Sequence, residues 1–264
     1  MILGPSKKEW SIETSFPDNG KMAVLFSGGM DSTLIASIAI DLYGKDNVFL
    51  IWSDAMFCGN DSRTNKVIKY NVETVADYLG MRTFYVPIDY DYFKINPLLS
   101  QRDAWIDTQK ALNADYISMG LTAMLWDIIP LREMTRTEIL NYCNSDRKKH
   151  KALIEQYYMD TDTYTGDVQT KLHSDVCAWL EENIDKQFHF PLGKLYKEEI
   201  VDLYYKLGKE DILYNTISCT KGSGNHCGEC WSCQNRYDGH VINNLSDKTE
   251  YKSNLIKERR NKLK

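Results

Sequence analysis

The chain reads as an α/β protein: a parallel sheet with helices on both faces, followed by a helical, zinc-clipped C-terminal part. Three observations predict this. Short apolar runs alternate with helical periodicity between Lys21 and Gly120, as in a parallel sheet joined by crossover helices. A Gly-rich turn, Ser27 to Ser32, separates the first apolar run from the first helical one. Four cysteines, Cys219, Cys227, Cys230 and Cys233, crowd into fifteen residues near the C-terminus.

Lys21–Phe26 is expected as the first strand and Ser32–Tyr43 as the helix crossing over from it. Val48–Trp52 follows as a second buried strand. Lys66–Leu79 carries Val67, Tyr70, Val75, Tyr78 and Leu79 at helical spacing and is closed by Gly80. Arg82–Pro87 is a third strand, Trp105–Leu112 a helix, and Tyr116–Met119 a fourth strand ending at Gly120. From Thr135 the strand signal fades. Thr135–Tyr142 and Ser174–Ile184 read as helices and Asp160–Asp167 as a loop. Lys197–Leu207 places Ile200, Leu203, Tyr204 and Leu207 on one helical face before Gly208.

The 264 residues suit one large α/β domain or one with a small appendage. We read an N-terminal extension (1–21), an α/β core (22–134), a helical metal-binding part packed on that core (135–246) and a basic tail (247–264), with no hard boundary. Hydrophobic residues make up 43%, enough for a sizeable core. No stretch approaches the roughly 18 apolar residues of a membrane helix. Residues 1–19 carry Lys7, Lys8 and Glu9 and lack a secretory apolar segment. A cytoplasmic protein without a membrane partner is expected. The net charge of −5 gives no global field for nucleic acid. The tail holds seven Lys/Arg against three Asp/Glu and is either a solvated segment or a patch for RNA or DNA.

Phe26-Ser27-Gly28-Gly29-Met30-Asp31-Ser32 makes a strand–loop–helix phosphate site. Adjacent glycines let the backbone approach a ligand. The following helix offers unpaired N–H groups and the positive end of its dipole. Ser27 and Ser32 add hydroxyls. Asp31 is placed to hold Mg²⁺, to cap the helix, or both. No lysine follows the glycines, which excludes the Gly-Lys-Ser/Thr nucleotide loop. The motif resembles the pyrophosphate loop of the ATP pyrophosphatase superfamily, whose members split ATP between the α and β phosphates.

The cysteine spacing is Cys219-x7-Cys227-x2-Cys230-x2-Cys233. In a cytosolic chain such clustering argues for metal over disulfides. Four thiolates satisfy tetrahedral Zn²⁺ and leave no open position for water, so a structural zinc is expected. An iron–sulfur cluster uses four cysteines as well, and His226 or His240 is near enough in sequence to replace one thiolate. A zinc ribbon that binds nucleic acid is a further reading, weakened by a single basic residue, Lys221, within 219–233.

Together the two motifs resemble the 7-cyano-7-deazaguanine synthases of queuosine-type biosynthesis. Phe190-Pro191-Leu192-Gly193-Lys194-Leu195-Tyr196-Lys197 is similar to that family's Pro-Leu segment, and Thr216-Ile217-Ser218-Cys219 and Arg236 also fit. The resemblance implies an adenine nucleotide α-hydrolase-like fold and an ATP-dependent C–N ligase. Such an enzyme adenylates 7-carboxy-7-deazaguanine and uses ammonia to form first the amide and then the nitrile. It implies ATP, Mg²⁺ and a structural Zn²⁺, and a homodimer. Ser27, Gly28, Gly29, Asp31 and Ser32 would hold the β and γ phosphates and Mg²⁺. Lys197 would neutralise phosphate charge, its other reading being a solvated lysine at a helix start.

Several segments depart from the family pattern. Met30 replaces a usual Gln, and Ser53–Asn60 replaces a usual Asp-Tyr-Gly-Gln-Arg-His. Leu99–Asp103 stands where Pro-Gly-Arg-Asn is usual, and Asp127–Arg132 only echoes Tyr-Pro-Asp-Cys-Arg. Arg102 or Arg132 would grip a substrate carboxylate bidentately, or form surface salt bridges instead. Asp127 would read a guanine-like edge or stand as a plain loop carboxylate. These departures leave open a paralogue acting on a related deazaguanine or another carboxylate. They also leave open a tRNA-thiolating or amidating enzyme with Cys58 or Cys143 as sulfur carrier, and a zinc-ribbon interaction module with a decayed ATP site.

Overall fold

The computed structural model describes residues 11–53, 62–88, 97–120, 188–192, 195, 197–219 and 225–253. A short helix α1 (Ile12–Ser15) precedes β1 (Met22–Leu25). Then come α2 (Met30–Tyr43), β2 (Val48–Trp52), α3 (Ser62–Leu79), β3 (Thr83–Tyr85), α4 (Pro97–Ala111) and β4 (Tyr116–Met119). After the gap follow β5 (Phe188–His189), α5 (Lys197–Lys206), α6 (Glu210–Asn215) and α7 (Trp231–Ile242).

The five strands form one sheet in the order β3-β2-β1-β4-β5, with every pairing parallel. Met22 lies opposite both Val48 and Tyr116, which sets β1 at the centre. A central parallel strand is covered on both faces and reads as an unbroken apolar run, and Met22, Ala23, Val24 and Leu25 are all buried. Leu50, Ile51, Ile117 and Phe188 extend that core sideways. The chain winds outward from β1 to β3 and then returns to the other side of β1. With crossovers of one hand, that reversal puts α4 on the face opposite α2 and α3. The crevice at the reversal, beyond the carboxyl ends of β1 and β4, is where open parallel sheets bind ligands.

The expected parallel sheet is therefore present, with β2 and β4 on their expected residues. Four findings differ in detail, the first being that α4 begins at Pro97, eight residues before the expected Trp105. α3 buries Asn71, Val72, Val75 and Ala76, while Tyr70 and Tyr78 are exposed; small and β-branched residues, not the tyrosines, meet the sheet. A fifth strand, Phe188–His189, pairs with β4; two residues before Pro191 are too few to show a period. α6 and α7 are helices that the apolar pattern does not announce. The helices expected at 135–142 and 174–184 and the loop at 160–167 lie outside the described residues. Among the described residues, no helix is long and apolar enough to cross a membrane.

Candidate active site and metal centre

The loop between β1 and α2 is anchored before it turns. Phe26 is fully buried, and its N–H donates to Ile51 O at 2.8 Å, extending the β1 ladder by one bond. Phe26 thus anchors the start of the loop. Gly28 takes φ +71°, and a Cβ there would stand 2.6 Å from Asn71 O on α3, so only glycine fits. Two serines cross-tie the turn. The Ser27 N–H donates to Ser32 Oγ at 3.2 Å, the Gly29 N–H donates to Ser27 Oγ at 3.3 Å, and the Ser32 hydroxyl donates to Gly29 O at 3.2 Å. Gly120, just past β4, lets that strand end close against α2: a Cβ on it would lie 2.8 Å from Ser32 N.

Gly29, not Asp31, occupies the N-cap of α2, and no side chain of the turn caps the helix from that position. Asp31 lies in the first helical turn and reaches across to α5. Its Oδ2 pairs with the Lys197 ammonium, 166 residues away in sequence. The Lys197 side chain is 18% exposed and so is not a solvated helix-start lysine. Asp31 Oδ1 is buried and has no hydrogen-bond partner among the described residues. A buried carboxylate oxygen left unpartnered is costly and suits a cation ligand. The Tyr204 hydroxyl on α5 donates to Met30 O at 2.6 Å. Burial, then the Asp31 carboxylate, hold that phenol well above its ordinary pKa, so it stays a donor. The Ile217 N–H donates to Gly28 O at 2.9 Å, and the Met30 N–H donates to Ser218 Oγ at 3.2 Å. Tyr204, Ile217 and Ser218 thus brace the loop from the C-terminal part. Only the Thr-x-Ser-Cys pattern at 216–219 hinted at this in sequence.

The four cysteines converge as their spacing predicts. The four Sγ atoms of Cys219, Cys227, Cys230 and Cys233 all lie within 4.8 Å of one another and form no disulfide. Cys227–Cys233 and Cys219–Cys230 are each 3.9 Å apart. A tetrahedron with metal–sulfur bonds near 2.3 Å has edges of about 3.8 Å, so the spacing suits one small ion. Backbone N–H groups point at the sulfurs: Cys227 N–H to Cys219, and Glu229 and Cys230 N–H to Cys227, each at 3.3 Å. Gly228, at φ +74°, makes room for the chain at Ser253, whose carbonyl a Cβ would meet at 2.2 Å. Shared thiol protons, the one from Cys219 foremost, pull Cys230 far down and Cys227 to about 7. The same sharing raises Cys219 and Cys233. A cation held by all four sulfurs would take the place of those shared protons.

Neither histidine belongs to that set. His226 Nε2 meets Thr216 O at 3.2 Å, and its Nδ1 lies 3.8 Å from Cys233 Sγ, outside the quartet. Burial and the nearby Arg236 charge bring its pKa down to about 4. His240 meets Arg236 O through Nδ1 at 2.8 Å and packs against the Tyr205 and Tyr214 rings. Arg236 is fully buried and donates to Thr216 Oγ1 at 2.7 Å, Leu213 O at 2.5 Å and Thr249 Oγ1 at 2.8 Å. Residues 249–253 lie along the knuckle: Lys252 N–H donates to His226 O and Ser253 N–H to Cys227 O. The first residues of the expected tail are therefore part of the metal region.

Of the residues expected to meet the acceptor, only Arg102 is among the described residues. Arg102, on α4, donates through Nε and a terminal nitrogen to Asp103 at 3.0 and 2.8 Å. Asp127 and Arg132 lie outside the described residues, as do Cys58 and Cys143.

Known proteins resemble this chain along most of its length. A 7-cyano-7-deazaguanine synthase of a Nitratiruptor species is 28% identical over 236 residues, covering 88% of this chain and 99% of that one. A 7-cyano-7-deazaguanine synthase of Nautilia profundicola is 26% identical over 235 residues, with 88% and 98% covered. Among solved structures, the U34-tRNA thiolase NcsA from Methanococcus maripaludis covers 88% of this chain, with 67% of its own length matched, at 14% identity and a TM-score of 0.40. That likeness is too loose to carry an argument. The family of the queuosine biosynthesis protein QueC matches residues 21–244, from the strand that leads into the Gly-rich loop to just past α7, the helix that carries Cys233. A match of that extent, spanning both motifs, makes this chain a member of the QueC family.

Proposed function

We propose that the chain is an ATP-dependent C–N ligase that converts 7-carboxy-7-deazaguanine to 7-cyano-7-deazaguanine with ammonia, through the amide. The observation that carries this reading is the pairing of Lys197 with Asp31 beside the Gly-rich loop, next to an Asp31 oxygen that is buried and unpartnered. Among relatives, two that match along nearly their whole length are 7-cyano-7-deazaguanine synthases.

In this reading those N–H groups of the loop and of the first turn of α2 that are not already bonded to Ser27, Ser32 or Ser218 receive the β and γ phosphates. Ser27 and Ser32 keep the turn in shape and add hydroxyl donors. Asp31 Oδ1 is the oxygen available for Mg²⁺, which when bound offsets charge on the departing pyrophosphate. The Lys197 ammonium supplies a second positive charge where negative charge gathers in the transition state. An oxygen of the substrate carboxylate attacks the α-phosphorus, and pyrophosphate leaves with the bonding pair. Ammonia then attacks the activated carbonyl carbon, AMP departs, and a proton goes to solvent. The amide oxygen attacks a second ATP in the same way, and loss of AMP and a proton leaves the nitrile. Arg102 would serve a substrate carboxylate only through donors not already bound to Asp103. The four cysteines would hold Zn²⁺ in a closed site that stabilises the fold and takes no part in the chemistry.

The test is incubation with ATP, Mg²⁺, ammonium and 7-carboxy-7-deazaguanine, followed by mass spectrometry. The nitrile with two AMP per turnover is the expected product. Amide alone would limit the enzyme to the first activation. No product under conditions where a known synthase works would move the acceptor to a related deazaguanine or another carboxylate.

A further inference from the structure

Thr216–Cys219 touches both functional regions within four residues. Ile217 N–H is bonded to Gly28 O, and Ser218 Oγ accepts the Met30 N–H. Cys219 supplies one of the four clustered sulfurs. The first N–H groups of a helix have no partner inside it. α2 starts from a glycine at its cap position, so the turn lends it no capping side chain. The acceptor for Met30 comes instead from Ser218, 188 residues downstream. Ser218 caps the phosphate-loop helix from another part of the chain.

What fixes Ser218 is the metal region. Thr216 receives Arg236 on its hydroxyl at 2.7 Å and meets His226 at its carbonyl at 3.2 Å. Arg236 and His226 both adjoin the knuckle, and Cys219 closes the segment on its other side. The four residues are thereby held between the quartet and the loop.

We infer that Ser218 is a positioning residue of the phosphate loop, and that Thr216–Cys219 couples metal occupancy to nucleotide affinity. The inference rests on the loop being the ATP site. Coupling between two binding sites is reciprocal. If metal binding tightens ATP binding by some factor, ATP tightens metal retention by the same factor.

The test uses the purified metal-loaded protein, wild type and with Ser218→Ala or Ser218→Thr. Three quantities are read: the ATP·Mg²⁺ dissociation constant by calorimetry, zinc retention against a chromogenic chelator with and without a non-hydrolysable ATP analogue, and hydrogen exchange at the Met30 amide. Ser218→Ala should keep its zinc stoichiometry, bind ATP about fivefold to tenfold more weakly and exchange Met30 faster. It should also lose the protection that the nucleotide gives zinc in the wild type. Ser218→Thr, which keeps the hydroxyl, should restore all three. Unchanged ATP affinity and Met30 exchange in Ser218→Ala would overturn the positioning role. Zinc retention in the wild type indifferent to nucleotide would overturn the coupling. Faster Met30 exchange when the wild type is stripped of metal upholds the brace whether or not ATP binds. A wild type that binds no ATP removes the phosphate-loop reading instead.

Discussion

The Gly-rich loop and the four-cysteine knuckle are both tight turns of glycines and short polar side chains, yet they are held by different forces. The loop hangs from the centre of a sheet whose strands bury Val24, Leu25, Leu50, Ile51 and Ile117 almost completely. Apolar burial of that extent, at about 25 cal/mol per Å², fixes the strand ends, and the loop inherits its place from them. The knuckle has no such backing. Its apolar cluster is three buried cysteines with Cys227, Tyr237 and Tyr251 packed around them. Its order comes from N–H···S bonds, from a buried guanidinium and from the strap at residues 249–253. Changing one atom of the loop should therefore cost chemistry and leave the fold alone. Removing the ion from the knuckle should cost the fold first.

The largest expected effect tests the first half of that contrast. Asp31→Ala removes the partner of Lys197 and the free carboxylate oxygen together. ATP turnover should drop on the order of a hundredfold or more, with melting temperature close to wild type, because the change leaves the buried strands untouched. AMP release and thermal unfolding of the same preparation check both parts. Wild-type AMP production by this variant would show that the loop is not the ATP site.

Stripping the metal comes next and tests the second half. Structural metal binding is folding free energy, so chelation should cost about 3 kcal/mol or more, on the order of 10 °C in melting temperature for a chain of this size. Cys230→Ser, which removes a fully buried sulfur, should reproduce the loss without chelator. Hydrogen exchange should place the loosening in residues 225–253 and spare β1, β2 and β4. An unchanged melt after verified metal removal would mean that the packing of Arg236 and the strap suffices alone.

The same contrast explains what could be read in the sequence. The loop was legible because its working residues are contiguous and follow a strand whose apolar run has no break. The quartet was legible because thiol spacing is local and few other uses fit it. The braces were not. Tyr204, Ile217 and Ser218 meet the loop across 174 or more residues, and no local period marks such contacts. α7 escaped for a related reason. Its buried positions include Asn235, Arg236 and His240, polar residues that a hydrophobic pattern leaves on the outside. Gly239, a poor helix former, is there because α5 packs against it: a Cβ would meet Val201 at 2.8 Å. Asp127 and Arg132, expected at the acceptor, belong to a sequence segment that departs from the family pattern, so neither spacing nor resemblance fixes their roles.

The smallest effect separates the knuckle's polar scaffold from its metal. His240 is fully buried on α7, and burial foremost lowers its pKa, although Asp247 lies 3.9 Å from Nδ1 and pulls the other way. A histidine held neutral in the folded state binds fewer protons there than in the unfolded chain, whose imidazole titrates near 6.5. Stability linked to it is therefore fully present above about pH 6.5 and is lost as the pH falls below that value toward the lowered folded pKa. Acid also protonates thiolates and releases metal, so the wild-type curve alone does not isolate His240. The comparison with His240→Gln does, because both proteins share the quartet and His226. Between pH 7 and pH 5 the wild type should lose more melting temperature than the variant, with equal zinc content at each pH. Parallel curves would show that the Asp247 carboxylate offsets burial, and that the acid sensitivity of the knuckle belongs to its thiolates and His226.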